Sequence, residues 1–182
     1  AASDVYKRQI YMRIKVKEII EGSKFEIIEK GDWIDLHAAE DIELVAPQAG
    51  VQYELNGKRF RDVSFDSCLI RLGFAMILPK GFEAHIVPRS STFKNFKIVQ
   101  SNSLGIIDNT YSGNDDEWKF PAISLERTVI KKGDRICQFR IQLSQKATIW
   151  QKIKWLFTSK IKFEWVDNLD SYSRGGFGST GK

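Results

Sequence analysis

The chain has 182 residues, 42% of them apolar, a formal net charge of +5 and two cysteines. That length suits one soluble domain with its own hydrophobic core, and no apolar run is long enough to span a bilayer as a helix, so no membrane partner is expected. The positive excess suits an anionic partner, but the basic residues are spread along the chain without a dense block, which argues against direct nucleic-acid binding.

Residues 1–9 are polar and fit no element; they are set aside as a non-native or disordered extension, and no secretory leader is expected. The domain proper is expected over residues 10–168, followed by a glycine-rich arm over 169–182. Arg13-Ile14-Lys15-Val16-Lys17 alternates polar and apolar, as a half-buried strand does. In the stretch Gly31-Asp32-Trp33-Ile34-Asp35-Leu36-His37-Ala38-Ala39, either aspartate can order water around a metal ion or cap a turn. Asn56-Gly57 between Tyr53-Glu54-Leu55 and Lys58-Arg59-Phe60 predicts a hairpin, and its charged flanks predict that it projects from the core. A strand is expected over 68–78, interrupted in character by Arg71 and stopped by Pro79-Lys80-Gly81-Phe82.

Residues 83–87 predict a further strand, and Pro88-Arg89-Ser90-Ser91 follows it directly. An arginine with neighbouring hydroxyls grips phosphate oxygens well, and the same residues also make an ordinary strand-end turn. In Asn102-Ser103-Leu104-Gly105-Ile106-Ile107-Asp108-Asn109-Thr110-Tyr111-Ser112-Gly113, two glycines bracket a predicted turn around Asp108. A carboxylate beside Ile106 and Ile107 is partly desolvated, which suits a general base; a turn aspartate bonding its own backbone is the plainer reading. Strands are expected over 122–130 and 135–143, with Lys131-Lys132-Gly133-Asp134 as the turn between them and Ile136, Phe139 and Ile141 pointing inward. Residues 148–157 predict a short amphipathic helix whose face of Ile149, Trp150, Ile153, Leu156 and Phe157 packs on the protein. A strand over 160–166 follows.

Cys68 and Cys137 lie in apolar strand-like segments and read as buried free thiols, which implies a reducing, cytoplasmic setting. His37 and His85 are the only histidines, and neither stands in a zinc or catalytic-triad motif. Many short strands with closely spaced turns predict an all-β sandwich or barrel. The tail Arg174-Gly175-Gly176-Phe177-Gly178-Ser179-Thr180-Gly181-Lys182 offers free backbone N–H groups, two hydroxyls, two cations and one aromatic ring, the makings of a lid for a nucleoside phosphate; a solvated tail has the same composition. It is not expected to be a P-loop, which needs a hydroxyl residue after the lysine and a helix to receive the phosphate.

Taken in order, Asp35-Leu36, Arg89-Ser90-Ser91, Gly105-Ile106-Ile107-Asp108 with Tyr111 and Gly113, Gly133-Asp134-Arg135-Ile136 with Gln138, and residues 175–181 resemble the five motifs of trimeric deoxyuridine triphosphatases. The resemblance implies a distorted jelly-roll β-barrel assembled as a homotrimer, with active sites between subunits and the arm of one chain closing a neighbour's site. It implies hydrolysis of dUTP to dUMP and pyrophosphate, with Mg2+ as cofactor. Asp108 would be the general base and Tyr111 would lie under the deoxyribose. Asn102 with Gly105, Ile106 and Ile107 would hold the uracil. Arg89, Ser90, Ser91 and Gln138 would hold the phosphates, and Asp35 would order water around the metal. Phe177 and Gly178 would cover the base, while Arg174, Ser179 and Thr180 would clamp the distal phosphates. The helix at 148–157, the Asn56-Gly57 hairpin and the polar turn Ser112, Asn114, Asp115, Asp116 depart from compact members of that family. A dCTP deaminase of the same fold, or a regulatory protein-binding role on this scaffold, are the rival readings.

Overall fold

The protein was analysed as a computed structural model, which describes residues 11–27, 32–157, 160–173 and 175–176. Among the described residues, fourteen strands and two short helices run in the order β1 (Tyr11–Glu18), β2 (Ile34–His37), β3 (Ile42–Leu44), β4 (Gln48–Leu55), β5 (Lys58–Ser64), β6 (Ser67–Arg71), β7 (Phe74–Met76), β8 (Phe82–Pro88), α1 (Thr92–Phe96), β9 (Ile98–Gln100), β10 (Gly105–Asp108), β11 (Lys119–Ser124), β12 (Thr128–Ile130), β13 (Arg135–Leu143), α2 (Ile149–Phe157) and β14 (Lys160–Trp165). None of the described helices is long and apolar enough to cross a membrane.

Small sheets wrap one core: β10-β8-β13-β2, β14-β1-β7, β6-β11-β9 and β12-β3, with β4-β5 standing apart. Period-2 patterning makes this closure possible, because alternate residues of each strand face inward. Phe82, Ala84 and Ile86 of β8 are buried, as are Phe120 and Ala122 of β11 and Ile14 and Val16 of β1. At the centre, Phe25 meets Phe74, Phe139 and Phe163 at ring-centroid distances of 5.1, 5.5 and 5.1 Å. Trp118 lies 5.3 Å from Phe139 and 5.2 Å from Phe74. Edge-on contacts between rings add to what their burial alone contributes.

β13 departs from strict alternation. Its register against β2 shifts between Arg135 and Cys137, so Ile136 and Cys137 are both fully buried. A bulge of this kind spends one extra residue to re-aim the strand. Gln138 thereby faces away from the core, opposite Asp35 on one side and Val87 on the other. Cys137 is a free thiol, and complete burial raises its pKa well above the ordinary range.

The Asn56-Gly57 hairpin forms as expected: both residues take positive φ, 53° and 73°, as a two-residue hairpin loop requires. Every residue of β4 and β5 is exposed, so the hairpin projects. Elsewhere the structure corrects the sequence reading. The strand expected over 68–78 is two strands, because Gly73 turns the chain at φ 77°. The strand expected over 122–130 is also two, since the Ser124 hydroxyl donates to the Glu126 carbonyl and bends the chain between β11 and β12. The turn expected around Asp108 is the end of strand β10.

The helix forms over Ile149–Phe157, but its apolar face does not pack on the protein: Trp150 is 76% exposed and Leu156 79%. The barrel core is already filled, so α2 is held by its other side. Trp155 stacks against Phe82 at 5.2 Å, and Gln151 Nε2 donates to the Lys80 carbonyl at 2.6 Å.

Candidate active site

The sequence-predicted residues gather in two places. The first surrounds a cavity of about 240 Å³ beside β10, walled by Asn102, Gly105, Ile106, Ile107, Asp108 and Tyr111 together with Ile86, Trp118, Lys119, Pro121 and Gly176. β10 pairs antiparallel with β8, which sets Gly105 opposite Ile86 and Asp108 opposite Glu83. A Cβ on Gly105 would come within 3.2 Å of the Ile86 Cβ, so glycine lets the two strands close up at the pocket wall. Asn102 is oriented by Gln100, whose Nε2 donates to Asn102 Oδ1 at 2.9 Å and to the Ile86 carbonyl at 3.2 Å. The Asp108 carboxylate is fixed by Thr110, whose backbone N–H and hydroxyl both donate to Oδ1, at 2.8 and 2.5 Å.

Tyr111 lies half-buried, its phenol donating to the Glu117 carbonyl at 3.0 Å. Burial first, and then the nearby charges of Asp116 and Glu117, push its pKa up to about 12. The sign follows from the shift: the protonated phenol contributes stability in full below the ordinary pKa of 10.0, and that contribution is lost as pH rises through about 12. In an ultraviolet titration of phenolate, Tyr111→Phe should delete a late phase near pH 12 and leave the signal near pH 10 unchanged.

The second place lies past the far end of β8. Arg89 Nε donates to Asp35 Oδ1 at 2.8 Å, and Arg135 Nη1 meets Asp35 Oδ2 at 3.3 Å. Arg89 Nη1 reaches the Ser91 hydroxyl at 3.4 Å, and Ser90 is exposed beside it. The turn is locked from below: fully buried Thr92 accepts from the Arg89 N–H at 2.9 Å and donates to the Ile136 carbonyl at 2.7 Å. Gln138 neighbours Asp35 across the β13–β2 ladder. Two guanidinium groups, two hydroxyls and an amide form a surface matched to phosphate oxygens.

The two places do not merge within one chain. Asp108 stands opposite Glu83 and Arg89 follows Pro88, so they are separated by the length of β8, roughly 20 Å at strand rise. Arg174, Phe177, Gly178, Ser179 and Thr180 lie outside the described residues, as do residues 1–10. Sequence reasoning missed Trp118, Lys119 and Gly176 in the pocket. For Trp118 the signal was present, since alternation through Phe120 and Ala122 marks it as inward-facing. Among the described residues, no group of three or more His, Cys, Asp or Glu side chains could hold a metal ion.

A closed barrel with a nucleoside-sized pocket at one end of a strand and a phosphate-gripping turn at the other defines a nucleotide-binding β-barrel protein. The sequence matches the family model dUTPase over residues 58–181. It is 44% identical to the SPbeta prophage-derived deoxyuridine 5'-triphosphate nucleotidohydrolase YosS of Bacillus subtilis (strain 168), over 93% of this chain and 99% of that protein. Its fold is that of the dUTPase from Streptococcus mutans, with TM-score 0.53 and 19% identity over 68% of this chain and 86% of that one. It is also that of a variant dUTPase from phage phi11 of S. aureus, which coordinates a structural Mg(II) ion, with TM-score 0.55 and 15% identity over 75% and 94% of the two chains. The chain belongs to the dUTPase family.

Proposed function

We propose that this protein hydrolyses dUTP to dUMP and pyrophosphate, by attack of a water molecule on the α-phosphorus. The observation that carries this reading is the pocket that sets the Asp108 carboxylate, the Asn102 amide and the Tyr111 ring around one nucleoside-sized space. Asn102 and the β10 backbone bind the uracil edge. Tyr111 lies beneath the sugar, where a ribose 2′-hydroxyl would clash. Asp108, held by Thr110, accepts the proton of the attacking water. Arg89, Ser90, Ser91 and Gln138 neutralise and position the triphosphate, which is most of what phosphoryl transfer asks of a protein. The third segment carries Asp108 and Tyr111 where a deaminase would place a water-activating glutamate, which disfavours that rival.

Mg2+ fits these residues as a metal that arrives on the triphosphate. Asp35 is one carboxylate whose two oxygens are already met by Arg89 and Arg135, so it is suited to holding metal-bound water rather than to caging the ion. When bound, the metal would supply charge neutralisation on the phosphate oxygens.

The roughly 20 Å between Asp108 and Arg89 within a chain supports a homotrimer in which one subunit gives the nucleoside half of a site and its neighbour the phosphate half. The deciding experiment offers dUTP, dCTP, dTTP and UTP with Mg2+ and measures pyrophosphate and ammonia. Turnover of dUTP alone is expected. Equal turnover of UTP, or ammonia from dCTP, would reject the assignment.

A further inference from the structure

The segment after β14 runs along the turn between β10 and β11 of the same chain. That turn presents three alternate polar side chains, Ser112, Asn114 and Asp116. Asn114 Nδ2 donates to Asn168 Oδ1 at 2.8 Å, and Asn114 Oδ1 accepts from the Leu169 N–H at 2.9 Å. The Ser112 and Ser171 hydroxyls are 2.9 Å apart. Ser173 Oγ donates to Asp116 Oδ1 at 2.5 Å, while Asp116 Oδ2 accepts from the Gly113 N–H at 2.8 Å. The seam is closed: Leu169 is 1% exposed, Asp116 3% and Ser112 7%. Two glycines make the close approach possible. A Cβ on Gly113 would lie 2.6 Å from the Ser173 Cα, and one on Gly176 would lie 2.5 Å from the Tyr111 ring. Gly176 therefore sits over the pocket that its own Asn102 and Asp108 help to wall.

We propose that the C-terminal arm closes the nucleoside pocket of its own chain, seated in cis on the polar rail of Ser112, Asn114 and Asp116, so that a complete site is assembled from two chains rather than three. The inference rests on the reading of that pocket as the nucleoside half of the active site. It departs from the neighbour-closing arm that the sequence resemblance implies.

Two further features favour the cis arrangement. β14 pairs in parallel with β1 of the same chain over six registered residues, from Tyr11 with Lys160 to Val16 with Trp165. Phe163 of that strand is packed on Phe25 and Phe139. The connection from Leu143 to Lys160 is long and is pinned midway by α2 on Phe82 and Lys80. Short, strained connections drive strands to exchange between subunits; a long one lets the strand return to its own barrel. The helix and the polar turn, both unneeded by the chemistry, thus acquire one shared purpose.

The test is a Ser112→Cys/Ser171→Cys variant of the full chain, oxidised and run on a denaturing gel without reductant. A cis arm gives loss of two thiols with the chain still at single-chain mass, while each single variant keeps its thiols. Covalent dimers or trimers, or no loss of thiols, would overturn the proposal. Co-expressed mixtures supply a second measurement. Asp108→Asn combined with a chain lacking residues 175–182 should stay inactive, because no chain then carries both the carboxylate and the arm; recovered activity would overturn the proposal. Arg89→Ala combined with that same truncated chain should recover activity, and so should Arg89→Ala with Asp108→Asn. If neither of these two mixtures recovers, the two-half reading of the site fails, while the crosslink still decides where the arm lies.

Discussion

Asp108→Asn is expected to lower kcat for dUTP by at least ~10²-fold while the protein folds and assembles unchanged. Asparagine keeps an oxygen for the two hydrogen bonds from Thr110, so the end of β10 should hold its shape. What is lost is the ability to accept a proton from water. Single-turnover measurement of pyrophosphate, with binding of a nonhydrolysable dUTP analogue followed separately, splits the two effects. Analogue binding within about threefold of the parent and a collapsed chemical step identify the base. Near-normal turnover would assign proton transfer to another group.

Phe139→Ala is expected to be the most destabilising single truncation in the barrel, costing about 3–5 kcal/mol. Phe139 is fully buried and touches three rings that belong to different parts of the chain: Phe25, Trp118 and Phe163. Removing it opens a cavity that these neighbours, already packed on one another, cannot collapse to fill. A fall in melting temperature of roughly 10 °C is the corresponding thermal signature. The coupling to Phe163 is the more informative part. A double-mutant cycle of Phe139→Ala with Phe163→Ala should show an interaction energy above ~0.5 kcal/mol, as side chains in contact do. Additive losses would mean that β14 is not seated on the core in solution.

The legible parts of the fold were those with strong local chemistry. Asn56-Gly57 announces a hairpin because few other dipeptides adopt two successive positive φ values. β1, β8, β13 and β14 are long enough for alternation to show. β3, β9 and β10 span only three or four residues each, too short for a period to register. Asp108 was found by its chemistry, and its place at the end of β10 was hidden for that reason. For α2 the periodicity gave the element but not its orientation. An apolar stripe says that a helix prefers cover, and only the filled barrel beneath shows that the cover is not there. The phosphate cluster was readable residue by residue through Arg89, Ser91, Gln138 and Asp35. The role of Arg135 in holding Asp35 was not, because Gly133-Asp134-Arg135 reads as a surface turn until β2 is laid beside it.

The doubled inward step at Ile136 and Cys137 has a consequence for how this chain tolerates change in length. Deleting either residue would invert the facing of everything after it in β13, driving Gln138, Arg140 and Gln142 into the oil and turning Phe139 and Ile141 out to water. The hairpin tip at Asn56-Gly57 and the stretch around α2 face no such parity rule, because nothing in the interior counts their residues. Growth and loss of sequence should therefore accumulate at those two places, while this strand stays fixed in length to the single residue.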